Sequence, residues 1–117
     1  MDHRWGQRLQ TKYNTLLYEQ GVPVASGKTK NLGKGGIFIE LSPGACPKSK
    51  CVDVEIRVPS GLMKGKYRLP VMIVRRSDEG VGMMFRQLDK DDENLVSSLL
   101  SEAERNPEEL QQSAERH

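Results

Sequence analysis

The chain has little aromatic surface and almost none of the residue types that build reactive centres. Aromatic residues are 5% of the 117, with a single tryptophan, and apolar residues of all kinds reach only 36%. A core built from them is thin and aliphatic, though at this length one domain can hold it together without staples. The two cysteines, Cys46 and Cys51, have no histidine or third cysteine nearby, so they cannot close a tetrahedral zinc site. They read as ordinary thiols flanking a loop, and a disulfide is not expected in a reducing compartment. The only histidines, His3 and His117, stand at opposite ends. No serine or cysteine has a candidate base in a readable motif, which argues against an enzyme. No apolar run approaches the roughly 18 residues of a membrane helix, and the N-terminus has no apolar signal core. The expectation is a soluble, cytoplasmic, non-catalytic protein without metal or cofactor.

What is present is unevenly placed. Residues 1–86 carry 15 Lys and Arg against 7 Asp and Glu, a net +8, while residues 87–117 carry 3 against 9, a net −6. A basic body with an acidic end suits an anionic ligand, although segregated surface charge alone can look the same.

The middle of the chain reads as six short strands punctuated by turns. They are expected over 12–19, 22–30, 37–41, 51–58, 67–76 and 81–85. The alternation of Val52, Val54, Ile56 and Val58 with Asp53, Glu55 and Arg57 is the clearest of these. Pro70 falls on the polar face of its strand and calls for an edge or a bulge there. Such spacing indicates an antiparallel β-barrel or sandwich. After Phe85 the pattern becomes helical over 87–106, with Asp89 or Asp91 as cap and Leu88, Leu95, Leu99 and Ala103 as the packing stripe, Val96 and Leu100 beside it. The single domain thus divides into an N-terminal arm (1–11), a β body (12–86), a helix (87–106) and an acidic tail (107–117).

Two motifs carry chemistry. Arg4 and Arg8 stand four apart in the arm, and Asn31-Leu32-Gly33-Lys34-Gly35-Gly36 opens the third expected strand. Guanidinium groups match phosphate oxygens and guanine edges, and they stack on purine faces. Three glycines in four positions allow positive φ or a close backbone approach. Each motif alone is ordinary: two arginines commonly mark a solvated face, and the glycines a plain turn. Ser26-Gly27-Lys28-Thr29 is not a phosphate-binding P-loop, because the glycine it needs would fall at Val22. Trp5 reads as an amphipathic anchor for the arm, and Lys34 with Arg75-Arg76 as a solvated basic rim.

Taken together, Arg4-x-x-x-Arg8, two strands, Asn31-x-Gly33-x-x-Gly36 and the run Gly80-Val81-Gly82-Met83-Met84-Phe85 resemble the PilZ domain family over residues 4–103. The resemblance implies a six-stranded PilZ-type antiparallel barrel with a C-terminal helix, and a bacterial receptor for the second messenger cyclic di-GMP. It implies that Arg4 and Arg8 grip the phosphates and guanine edges, that Asn31 hydrogen-bonds a guanine, and that Gly33 and Gly36 shape the loop. It also implies an adaptor acting on an unidentified protein partner in a motility, biofilm or signalling pathway. Two departures imply a weaker site. Glycine stands at 33 where the family has serine, which removes a hydroxyl, and His3 stands where many members carry another arginine. Two other readings remain. One is a degenerate PilZ-type adaptor that binds protein with weak or no nucleotide binding. The other is a small barrel binding RNA or DNA through its basic body, with steep salt dependence but few aromatics to stack bases.

Overall fold

The structure is a computed structural model, and it describes residues 9–10, 12–42 and 44–105. Strands β1 (Leu9–Gln10), β2 (Asn14–Glu19), β3 (Val22–Leu32), β4 (Gly36–Glu40), β5 (Cys51–Val58), β6 (Gly65–Arg76) and β7 (Gly80–Phe85) precede helix α1 (Lys90–Arg105). The sheet order is β1-β3-β2-β5-β6-β7-β4, and β3 also pairs with β4. That last pairing closes six antiparallel strands into a ring, the expected barrel. β1 lies in line with β2 along the same side of β3.

Closure falls on β3 because it is long and bent. Its first part pairs with β2 from Val22 to Lys28, and its last part with β4 from Lys28 to Leu32. Register shifts leave Val24 and Lys30 as extra residues on this strand. Such bulges raise local twist and let one strand turn a barrel corner. The β2–β3 hairpin tightens the same strand. Gln20 and Gly21 both take positive φ, 51° and 84°, as a two-residue turn matched to strand twist requires.

Alternate residues fill the interior. Leu17, Leu32, Ile37, Ile39, Val54, Ile56, Leu69, Val71, Ile73 and Val81 are essentially inaccessible. Thr15 also points inward, and its buried hydroxyl lacks a hydrogen-bond partner. Pro70 pairs with Asp53 of β5, and on its other side lies just past the last β7 pair, Val71 with Phe85. Its missing N–H therefore interrupts no ladder, and the β6 bulge is at Val74 instead.

Helix α1 begins where Asp89 caps it: the Asp89 carboxylate accepts from the Asp92 N–H at 2.8 Å. Val96, Leu99 and Ala103 are buried, and the rest of the expected stripe, Leu88 and Leu95 with Leu100 beside them, packs half-buried against the core. Val96 and Leu99 join the barrel core, and the backbone of α1 runs alongside β1. Near its end, Glu102 accepts from the Leu62 N–H at 3.2 Å, tying the β5–β6 loop to the helix. No helix among the described residues is long and apolar enough to cross a membrane.

One polar cluster lies under the outer wall. Glu55 is 7% exposed; it accepts from Tyr18 Oη at 3.0 Å and Arg57 Nε at 2.9 Å, with Arg68 at 3.6 Å. Arg68 also stacks on the Tyr18 ring at 3.7 Å. The Arg57 hydrogen bond is the largest cause holding the Glu55 carboxyl below its ordinary 4.5; burial opposes it, and Tyr18 and Arg68 add to the lowering. A depressed folded pKa stabilises the fold above the unfolded value, and that contribution is lost as pH falls through the folded value.

Two outcomes follow for urea unfolding. Glu55→Gln should cost about 1 kcal/mol at pH 7, the low end for charge-assisted bonds because its arginine partners are half exposed, and the cost should shrink at acid pH below 4. Thr15→Val, which removes the unpaired hydroxyl at nearly constant shape, should raise stability by about 1 kcal/mol.

Candidate functional site

The expected ligand loop joins β3 to β4. Its entry is fixed by the segment that leads into β2. The Tyr13 N–H donates to Thr29 Oγ1 at 2.8 Å, and the Thr29 N–H donates back to the Tyr13 carbonyl at 2.9 Å. Thr29 is fully buried, so this reciprocal pair is shielded from water. Immediately beyond it comes the Lys30 bulge, then Asn31 and Leu32.

Asn31 is half-buried and has neighbours on both sides, Gln10 of β1 and Phe38 of β4. Leu32 lies between Leu9 and Ile37 in the same way. The loop then turns tightly. The Gly33 N–H donates to the Gly36 carbonyl at 2.9 Å, and the Gly35 carbonyl accepts from the Phe85 N–H at 3.0 Å.

The glycines here do a different job from the one their freedom suggests. The left-handed glycines among the described residues are Gly21, Gly44, Gly61 and Gly65; Gly33, Gly35 and Gly36 are not among them. Gly36 is needed for approach, since a Cβ there would run into the Met83 carbonyl oxygen of β7. Its role is to bring β4 against β7. At Gly35 a Cβ would meet nothing within 4 Å, so that position is open to solvent.

Of the predicted site residues, the structure brings Asn31, Gly33 and Gly36 together in this one corner. Arg4 and Arg8 lie outside the described residues, as does most of the expected arm. Its described part, Leu9-Gln10, is a strand rather than a free segment, because it completes the ladder along Asn31 and Leu32.

A cleft of about 430 Å³ opens beside the loop. It is lined by Lys34 and Gly35 of the loop, by Phe85 and Leu88, and by Glu93, Val96 and Ser97 of α1. Composition could not disclose it. Leu88, expected in the packing stripe of the helix, packs against the core as Phe85 does, and the placement of α1 next to the loop makes both of them a lining as well. The expected basic rim divides. Lys34 is on the cleft, whereas Arg76 donates to the Pro47 and Lys48 carbonyls at 3.4 and 3.5 Å on another side of the barrel. Phe38 is buried, 9% exposed, on the outer face of β4, with the Lys30 ammonium 5.9 Å from its ring centre. No group of three or more His, Cys, Asp or Glu able to hold a metal ion occurs among the described residues.

The sequence model for the PilZ domain matches residues 4–102, a span that begins at Arg4 and takes in the loop, the ring of strands and most of α1. The chain belongs to the PilZ domain family. No curated protein matches it. Among solved structures, this PilZ domain is similar to the PilZ domain of YcgR from Escherichia coli, solved with c-di-GMP. The TM-score is 0.72 at 14% identity, over 92% of this chain and 96% of that one. It is similar to the PilZ domain of CeSA from a cellulose-synthesizing bacterium, with TM-score 0.62 and 21% identity over 80% of this chain and 94% of the other. It also resembles the Bacillus subtilis inhibitor of motility MotI/DgrA, with TM-score 0.65 and 15% identity over 91% of this chain, which spans 54% of that longer one. At these identities the likeness is one of fold.

Packing at the loop separates its glycines by experiment. Gly36→Ala should cost about 1–3 kcal/mol in thermal or urea unfolding, the range for forcing a methyl into a filled site. Gly35→Ala should stay within about 0.5 kcal/mol of the parent. Equal losses at both positions would contradict the close approach of β4 to β7.

Proposed function

We propose that this PilZ domain is a non-catalytic receptor for cyclic di-GMP, working in the bacterial cytoplasm and passing the signal to a protein partner. Family membership supports the ligand class. The observation that carries the reading is the pairing of Leu9 and Gln10 with Leu32 and Asn31. A trans peptide puts the Arg8 Cα about 3.8 Å from that of Leu9, so the arginine is attached at the corner where the glycine loop begins. Arg4 is five residues before Leu9, a chain reach of up to about 18 Å. Both guanidinium groups can therefore meet a ligand lying against residues 31–36.

The chemistry suits a cyclic dinucleotide. Its two phosphates need cations, which Arg4 and Arg8 supply as planar forks and Lys34 as a point charge. Its guanines need edge and face contacts, for which Asn31 and the arginine planes serve. The cleft between the loop and α1 gives an apolar lining at Phe85 and Leu88 for part of the ligand. Closing the residues ahead of β1 over the ligand then changes the surface that a partner meets.

A second reading, a PilZ domain that binds protein without nucleotide, is favoured by Gly33. The position lacks the family's hydroxyl, and its N–H is already bonded within the loop. Binding of RNA or DNA has less support. Among the described aromatics, Tyr13 and Phe38 are buried, Tyr18 is covered by Arg68, the Tyr67 hydroxyl is bonded to the Met63 carbonyl, and Phe85 is half-buried in the cleft. That leaves little exposed ring surface for base stacking.

Isothermal titration of the full chain with cyclic di-GMP tests the assignment. A micromolar dissociation constant, about −8 kcal/mol, is expected, with Arg4→Ala and Arg8→Ala each weakening it at least tenfold. Binding indifferent to both substitutions would refute the site, and no heat of binding at all would favour the second reading.

A further inference from the structure

The outer wall of an antiparallel barrel faces water and is ordinarily polar. One section of this barrel departs from that. Cys51 of β5, Met72 of β6, Met84 of β7 and Gly36 of β4 are successive cross-strand partners. Their neighbours Val52, Val71, Ile73, Met83 and Ile37 are buried in the core, so the row itself lies on the outside. It crosses four strands without a polar side chain. Met84 is 50% exposed, and Val74 at the β6 bulge beside it is 51% exposed. Gly82, in register with both Arg75 and Phe38, keeps the wall low between them.

One end of this row is cationic. Arg75 and Arg76 are exposed at the end of β6. The Arg76 bonds to the Pro47 and Lys48 carbonyls, and the 2.7 Å bond from the Ile73 N–H to the Lys50 carbonyl, hold the lysine-bearing loop against that strand. Lys48 and Lys50 are exposed as well. The acids on this side are the turn residues Asp78 and Glu79, with Glu79 paired with Lys30 at 3.5 Å, and Glu19, whose carboxylate accepts from the Ser49 N–H at 2.9 Å between the two lysines. The surface thus combines soft, adaptable methionines with an excess of positive charge.

We propose that this row is the docking surface for the protein partner, and that the partner presents an acidic amphipathic helix. Its aliphatic anchors, at helical spacing, lie on Met72, Val74 and Met84, and its carboxylates face Lys48, Lys50, Arg75 and Arg76. Charge complementarity selects this occupant over a basic or neutral one. The surface is also continuous with the candidate ligand loop. Gly36 is the strand partner of Met84, and Gly35 is hydrogen-bonded to Phe85. A ligand held at the loop therefore lies next to the docking surface, with the loop hydrogen-bonded to β7 between them. The inference rests on the receptor reading above and locates its output.

The test uses the full chain and a fluorescein-labelled synthetic helical peptide carrying Leu and Met anchors on one face and Glu on the flanks, with a second peptide in which every Glu is Lys. Anisotropy should show saturable binding of the Glu peptide, weakened by salt, and at least tenfold weaker binding of the Lys peptide. Met84→Glu and Arg75→Glu should each reduce binding at least tenfold, whereas Leu62→Glu, on the remote and highly exposed β5–β6 loop, should not. Equal binding of both peptides, or normal binding by Met84→Glu, overturns the proposal. So does self-association, or sedimentation with phosphatidylglycerol vesicles, that Met84→Glu abolishes, since the row then serves a second copy or a membrane. Titration of cyclic di-GMP into the same proteins keeps the two claims apart. An intact dinucleotide isotherm with no peptide binding removes only the docking surface, and a missing isotherm in the parent chain removes only the receptor reading.

Discussion

Strand β3 has to satisfy two neighbours at once, β2 along its first half and β4 along its second, and the candidate site exists because of how it does so. A straight strand could not make both turns. The extra residues at Val24 and Lys30 supply the bend, and the buried Tyr13–Thr29 pair locks the lead-in to β2 onto it at the second bulge. Once that corner is fixed, β3 offers β1 an edge to join along Asn31 and Leu32. Ring closure, the entry of the N-terminal segment and the position of the glycine loop are consequences of one bent strand.

The same constraint explains the chemistry of the loop. Its glycines serve packing at one end and exposure at the other. Gly36 allows β4 to lie against the β7 backbone, and Gly35 leaves the cleft mouth open. The loop's short hydrogen bonds, within itself and to Phe85, make it a rigid wall and not a mobile strap. Such a wall needs little reorganisation when a ligand arrives. On the receptor reading, Arg4 and Arg8 then supply the charge-assisted contacts to phosphate.

Period-two patterning made most of the barrel legible, because alternation reports which face is wet. The strand over 51–58 matches the observed β5 at both ends, and Asp89, one of two expected caps, is the cap. What remained hidden depends on contacts across the chain. Leu9-Gln10 has too few residues to show any period, and becomes a strand only because β3 offers it an edge. Val96 is more deeply buried than Leu95, a difference within one helical face that composition cannot fix. For the site, the motif at 31–36 was readable and is gathered in one corner. The α1 side of the cleft was not readable, since its lining comes from three separate segments.

The central claim is that the residues ahead of β1 close over a ligand held at the β3–β4 corner. Amide hydrogen exchange followed by mass spectrometry, with and without saturating cyclic di-GMP, measures this most directly. The account predicts added protection in peptides covering residues 1–10 and 31–36 together, with the opposite side of the barrel around Glu55 unchanged. Protection appearing elsewhere, or in only one of the two segments, would contradict it.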